Sequence, residues 1–238
     1  MSTLELLLAV QERDLALDRL RHRRATLPER ATLAEAEAAS AAMRARLAEL
    51  VGPRDTIAAE QRRHEDEAQS LSEQATAVEK RMYSGEISSP KELQAMQADV
   101  EQLRRHQATV EERAIAAMER YEPLQDEVAE LEQAIAARDA EAGAARAALA
   151  AAEAVVDDEV VVEQAARADA AAEVRNPALV TDYERRRAQT QGQGAARLVG
   201  NTCQACHLTI PATEVDRIRH APEGTVAYCD NCGAILIP

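Results

Sequence analysis

Apolar residues recur at steps of three and four over most of this chain, with polar residues filling the gaps. The pattern is cleanest beyond Leu93. Met96, Val100, Leu103, Gln107, Val110, Ala114, Ala117, Tyr121, Leu124, Val128, Leu131, Ile135, Arg138, Ala142, Ala145, Leu149, Ala152 and Val156 keep a seven-residue repeat, with only Gln107 and Arg138 not apolar. That is the signature of a left-handed coiled-coil seam. After Ile135 the seam thins to alanine, which predicts closer helix approach. An earlier arm carries the spacing less evenly, as Val10, Arg13, Leu17, Leu20, Arg24 and Leu27. It resumes from Leu47 as Leu50, Arg54, Ile57, Gln61, His64, Ala68, Leu71, Ala75, Val78 and Met82. The phase shift after Pro28 and the Gly52-Pro53 pair predict a helix that is kinked or broken in places.

Between the two arms lies Tyr83-Ser84-Gly85-Glu86-Ile87-Ser88-Ser89-Pro90-Lys91-Glu92-Leu93. Gly85 suits the left-handed residue that closes a helix. Ser89 suits an N-cap, Pro90 the first helical position and Glu92 a capping-box carboxylate. Ser2-Thr3-Leu4-Glu5 is a second capping-box pattern and starts the first helix. The expected fold is therefore mainly α: a long, kinked antiparallel coiled-coil hairpin over residues 1–175, with its tip near 84–89. If residue i faces roughly 175 − i, Pro53 meets Pro123, and Arg19, Arg21, Arg23 and Arg24 lie beside Glu153, Asp157, Asp158 and Glu159. A solvated face balanced across the hairpin then explains that arginine run better than a nucleic-acid patch.

Asn176-Pro177 repeats the cap-plus-proline start. It opens a short helix with Leu179, Val180 and Tyr183 on one face, fading into the hinge-like Gln191-Gly192-Gln193-Gly194. Residues 176–194 are thus a short helix and linker, and 195–238 form a separate small module.

Aromatic residues make up 2% of the chain, all tyrosine, so a thick globular core is not expected. Net charge is −14. Residues 191–238 carry Arg197, Arg217 and Arg219 against Glu214, Asp216, Glu223 and Asp230, a balance of −1 that leaves −13 on the helices. Such a surface repels nucleic acid along most of its length, so any contact of that kind must be local. No signal peptide or long apolar run is visible, and the expected location is the cytoplasm, with no membrane partner.

The chemistry is carried by Cys203-Gln204-Ala205-Cys206 and Cys229-Asp230-Asn231-Cys232-Gly233, two CxxC knuckles 22 residues apart. Each knuckle lets two thiolates share one ion, and four thiolates in a tetrahedron favour a single structural zinc with no open position for water. Gly233 permits the turn after the last ligand. Thr225-Val226-Ala227-Tyr228 and Ile235-Leu236-Ile237 read as strands framing the second knuckle. His207 is a further candidate near the site, better read as exposed or as a hydrogen-bond donor to the ligands. His64 and His220 lack partners that suggest catalysis. No phosphate loop or nucleophile motif is present, so no enzymatic activity and no small-molecule substrate are expected.

Taken with the tip, these motifs resemble a bacterial family of four-cysteine zinc-ribbon proteins with an N-terminal coiled-coil hairpin. The resemblance rests on Leu17-Asp18-Arg19-Leu20, Tyr83-Ser84-Gly85, Ser89-Pro90-Lys91-Glu92-Leu93, Asn176-Pro177 with Tyr183, and the four cysteines. It implies a zinc ribbon packed near the open end of a kinked hairpin. It also implies a role in nucleic-acid binding, or in regulation linked to flagellar or type III secretion and an alternative sigma factor. The first functional expectation is a regulator contacting RNA, DNA or the transcription machinery through Arg185, Arg186, Arg187 and Arg197. The alternative is a protein–protein adaptor or chaperone using Tyr83, Ile87 and Leu93 at the tip. A homodimer is compatible with either.

Overall fold

The computed structural model describes residues 3–190, 192–222 and 224–238. The expected cap at Ser2, and Gln191 of the linker, lie outside the described residues. Helix α1 (Thr3–Ala25) is followed by α2 (Pro28–Met82), α3 (Pro90–Glu173) and α4 (Pro177–Gln189). Strands β1 (Ala195–Val199) and β2 (Thr202–Cys203), helix α5 (Ala212–Arg219), and strands β3 (Ala227–Tyr228) and β4 (Ile235–Ile237) complete the chain.

The expected break falls at Pro28, which opens α2. The Arg30 guanidinium bridges that break, donating to the Arg24 carbonyl at 3.1 Å and pairing with Glu153. A cation on a terminal carbonyl also complements the α1 dipole. Pro53 and Pro123, in contrast, lie inside continuous helices. At the tip Gly85 takes φ +80°, as expected. Ser84 Oγ donates to the Arg81 carbonyl at 2.9 Å and accepts the Glu86 N–H at 3.3 Å, and Pro90 begins α3.

The chain divides into two compact units, Leu33–Ala145 and the remainder up to Thr32 together with Arg146–Pro238. In Leu33–Ala145, α2 and α3 run antiparallel along the predicted seam. All the α2 seam positions from Leu47 to Met82 are buried or half-buried, as are those of α3 from Met96 to Ala145 except Arg138. Arg138 turns out to Glu141 at 2.7 Å. Arg46 donates to Glu127 at 2.9 Å, where the rule gives position 129. Arg120 reaches Glu60 at 3.3 Å, so Pro53 and Pro123, each midway between these two pairs, share one level.

In the other unit the pairing continues with Arg23 to Glu159 at 2.6 Å and Arg24 to Asp157 at 2.7 Å. Arg30 meets Glu153 where the rule gives 145, and the Arg23 and Arg24 pairs are displaced in the same sense, so the pairing register here is offset by about two turns. The α1 seam requires a correction. Arg13 is exposed, and its place is taken by Asp14, which is 5% exposed. The buried stripe is Leu4, Leu7, Val10, Gln11, Asp14 and Leu17. Burial of a carboxylate there is possible because partners from α3 and α4 satisfy it.

The four strands form one sheet in the order β2-β1-β4-β3, with β1 and β4 parallel and the other pairs antiparallel. Both faces of this sheet are covered. Ala195, Ile235 and Ile237 pack on Leu4, Leu7, Val10, Leu179 and Tyr183. Ala196, Leu198 and Leu236 point the other way, onto Val215 and Ile218 of α5 and the buried cysteines. The alternation of side chains along a strand divides the two cores.

Candidate metal centre

The two knuckles are built to one plan. Cys203 N–H donates to the Leu208 carbonyl at 3.1 Å, and His207 N–H returns to the Cys203 carbonyl at 2.8 Å. Cys229 N–H donates to the Ala234 carbonyl at 2.9 Å, and Gly233 N–H returns to the Cys229 carbonyl at 2.7 Å. Each loop therefore needs a left-handed residue after its second cysteine. Gly233 supplies it at φ +75°, and His207 at φ +59°. This is the structural part played by His207, whose side chain is exposed.

All four Sγ atoms lie within 4.8 Å of one another. Cys203 Sγ is 3.9 Å from Cys232 Sγ, and Cys206 Sγ is 3.8 Å from Cys229 Sγ. These separations are nearly twice a disulfide bond. They match the edge of about 3.8 Å expected for a tetrahedron with metal–sulfur bonds of about 2.3 Å. The donor set fits one zinc ion, and four thiolate ligands would fill its coordination sphere. Burial raises the Cys203 thiol and pushes the Cys232 thiol up to about 12, so thiolates at these positions need a nearby cation. At Cys206 burial acts in the same sense, but the Leu208 N–H and the other three thiols hold it below its ordinary value.

The centre is seated through residues that the sequence reading missed. Gln11 of α1, 5% exposed, behaves like a strand edge toward the segment entering β1. Its Oε1 accepts Gly194 N–H at 2.7 Å and Ala195 N–H at 3.1 Å, and its Nε2 donates to the Gly192 carbonyl at 2.9 Å. The segment read as hinge-like is thus fastened to α1 along residues 192–195. Below it the fully buried Tyr183 donates to Asp14 Oδ2 at 2.7 Å, and Arg167 and Arg187 also pair with Asp14. Arg187 reaches Asp18 as well, the acidic residue of the Leu17-Asp18-Arg19-Leu20 stretch. The cap of α4 is as expected, with Asn176 Oδ1 accepting Leu179 N–H at 3.2 Å. Counted from Leu4 and Leu7, a heptad register reaches Gln11 and Asp14, whereas the seam read as Val10, Arg13 and Leu17 passed over both.

Of the arginines singled out for nucleic acid, Arg185 and Arg186 both pair with Asp182. Arg186 also stacks over the Tyr228 ring at 4.1 Å, and Tyr228 Oη donates to Asp182 at 2.9 Å. Arg187 belongs to the Asp14 network. Arg197 is exposed on β1 and makes no ion pair among the described residues. At the tip Tyr83 is 85% exposed, while Ile87 and Leu93 are half-buried. His64 lies half-buried between Glu60 and Glu67, and His220 ends α5 with Nδ1 2.9 Å from the Asp216 carbonyl.

Comparison with known proteins agrees with this architecture. The family model of the CT398-like coiled coil hairpin domain matches residues 10–191, and that of the C4-type zinc ribbon domain matches residues 202–236. An uncharacterized protein from Mycobacterium tuberculosis is 32% identical over 231 residues, covering 97% of this chain and 93% of that protein. A structure from Mycobacterium smegmatis superimposes with a TM-score of 0.84 at 30% identity over the full length of both chains. CT398 from Chlamydia trachomatis shares the fold, with a TM-score of 0.72 at 18% identity over 98% of this chain and 96% of its own. The chain therefore belongs to the CT398-like coiled-coil hairpin family and carries a C4-type zinc ribbon whose four cysteines could hold one zinc ion.

Proposed function

We propose that the protein is a non-enzymatic adaptor that engages a protein partner through Tyr83, Ile87 and Leu93, with the zinc ribbon as its structural module. The observation that carries this reading is Tyr83. Ser84 and Gly85 close the turn, and the Tyr83 ring takes no part in the hydrogen bonds that hold it. A ring left 85% exposed in a chain with no Phe or Trp is available as an interface anchor. Residues 1–175, 176–194 and 195–238 then serve as hairpin, connector and ribbon. No helix among the described residues is long and apolar enough to cross a membrane. Four thiols held for a metal suit the reducing cytoplasm.

The test is in-cell crosslinking with mass spectrometry on three proteins. The Tyr83→Ala/Ile87→Ala variant is expected to lose its crosslinked partner, whereas wild type and Cys203→Ser keep it. Retention by the tip variant sinks the proposal.

A second reading, contact with RNA, DNA or the transcription machinery, is favoured by exposed Arg197 and by Arg185, whose side chain remains 62% exposed despite its pairing. It requires affinity that falls steeply with salt and drops in an Arg185→Ala/Arg197→Ala variant.

A further inference from the structure

Several acids that flank the seam of the Leu33–Ala145 unit pair with arginines across it. Glu79 pairs with Arg104, Glu60 with Arg120, Glu127 with Arg46 and Asp139 with Arg44. One stretch departs from this. An open groove of about 710 Å³ runs between α2 and α3, with Ala68, Ala114 and Ile115 along its apolar wall and Glu65, Glu73 and Glu111 on its rim. The three carboxylates accept the amides of Gln61, Gln69 and Gln107, each one turn back on its own helix, at 2.7, 3.0 and 2.8 Å. Among the described residues no arginine, lysine or histidine pairs with any of them. Ile115 is 52% exposed in the same place, and Met118, one turn further along α3, is 39% exposed.

We propose that this groove is a docking surface for a basic amphipathic helix of a partner protein. Two antiparallel helices with an open cleft, walled in part by Ala114 and the exposed Ile115, offer a third helix the ridges and grooves it needs. The α2 wall runs from residue 65 to 73, about 12 Å, enough for two turns of an incoming helix. Charge selects the occupant. Three uncompensated glutamates attract a helix whose apolar stripe is flanked by lysine or arginine. They repel nucleic acid, and they repel the same groove on a second copy of this chain. The surface is separate from the tip, so it adds a second binding site to the proposed adaptor.

The probe is a fluorescein-labelled helical peptide of about 18 residues, with a leucine–alanine stripe flanked by lysines, titrated against the full zinc-loaded chain by anisotropy. Two comparison peptides carry a scrambled stripe at equal charge, or glutamates in place of the lysines. Binding by the striped basic peptide alone is expected. Glu65→Gln/Glu73→Gln/Glu111→Gln should weaken it by about tenfold or more, and Ile115→Ser by a similar factor. A control with the same charge change elsewhere on α3, Glu122→Gln/Asp126→Asn/Glu130→Gln, should not. Equal binding of the scrambled peptide, or equal loss in the control variant, reduces the effect to net charge and overturns the proposal. Sedimentation of wild type and the triple variant tests the other occupant. A dimer that the triple variant abolishes would assign the groove to a second copy and overturn the proposal as well. Circular dichroism of each variant confirms that the helices are intact, as expected for changes at exposed positions.

Discussion

Gly194 and Gly233 show how differently two glycines can be required. A Cβ added at Gly194 would lie 2.6 Å from the Tyr183 carbonyl and 2.8 Å from two of its ring carbons. At Gly233 the nearest atoms would be 3.7 Å and 3.9 Å away, but φ is +75°. Gly194→Ala must therefore push the ribbon off Tyr183, at a cost of about 3 kcal/mol or more. Gly233→Ala bears only the left-handed backbone penalty of about 1–2 kcal/mol. Denaturant midpoints would rank them, and equal effects would refute the distinction. Tyr183 itself gives a pH signature. Burial first, then the hydrogen bond and the charge of Asp14, raise its phenol well above the usual value of about 10. The folded state therefore favours the protonated ring. Its contribution is complete below about pH 10 and is lost as pH rises beyond that. Tyr183→Phe should cost about 1–3 kcal/mol at neutral pH. The gap from wild type should close in urea titrations repeated at increasing alkalinity, and a gap that widened would contradict the assignment.

Among the elements, α2 and α3 carry a cost that the rest of the fold absorbs. Pro53 and Pro123 sit in helix interiors, exposed, at one level of the hairpin. Each removes a backbone hydrogen bond and is worth about 3 kcal/mol less than alanine in an undistorted helix. Since neither ring fills a core position, Pro53→Ala and Pro123→Ala should each raise stability, by about 1–3 kcal/mol. Thermal unfolding monitored by helical circular dichroism checks this, and a fall in midpoint would mean that the prolines are needed where they stand. The seam around these prolines was legible in the sequence because its rule is local: each helix finds a partner with the same repeat. The tip was legible in part: Gly85 and Pro90 act within a turn of themselves, but Ser84 closes the turn, and the capping bonds expected of the Ser89 and Glu92 side chains are not among those of the described residues. Asp14 and Gln11 were not, because their burial depends on Tyr183, Arg167 and the Gly194 amide, more than 150 residues away. Of the two apolar runs after residue 224, Ile235-Leu236-Ile237 is a strand as read, whereas only Ala227 and Tyr228 of the other run are. The parallel pairing of β1 with β4 could not be read, because it is set by which core each side chain enters.

At the scale of the whole molecule, the ribbon and the hairpin depend on metal to different degrees. Beyond the zinc centre, the ribbon core consists of a few small and branched side chains, and β2 and β3 are two residues each. Structural zinc of this kind contributes on the order of 10–16 kcal/mol in apparent binding. Without it the core of Ala196, Leu198, Ile210, Val215, Ile218 and Leu236 has too little area to persist. β1 and β4 also supply Ala195, Ile235 and Ile237 to the core shared with α1 and α4, so loss should spread to those helices. Leu33–Ala145 has its own contacts, with Val110, Leu71 and Ala68 at one centre and cation–carboxylate pairs along its length. Hydrogen exchange after chelation should therefore show protection falling by at least about tenfold across β1, β4 and α4, with little change in Leu33–Ala145. Protons compete for the same thiolates, so the pattern should also appear as pH falls and reverse when zinc is added at neutral pH. If exchange rose equally in both units, the hairpin could not hold its fold independently, and the ribbon would be part of its core.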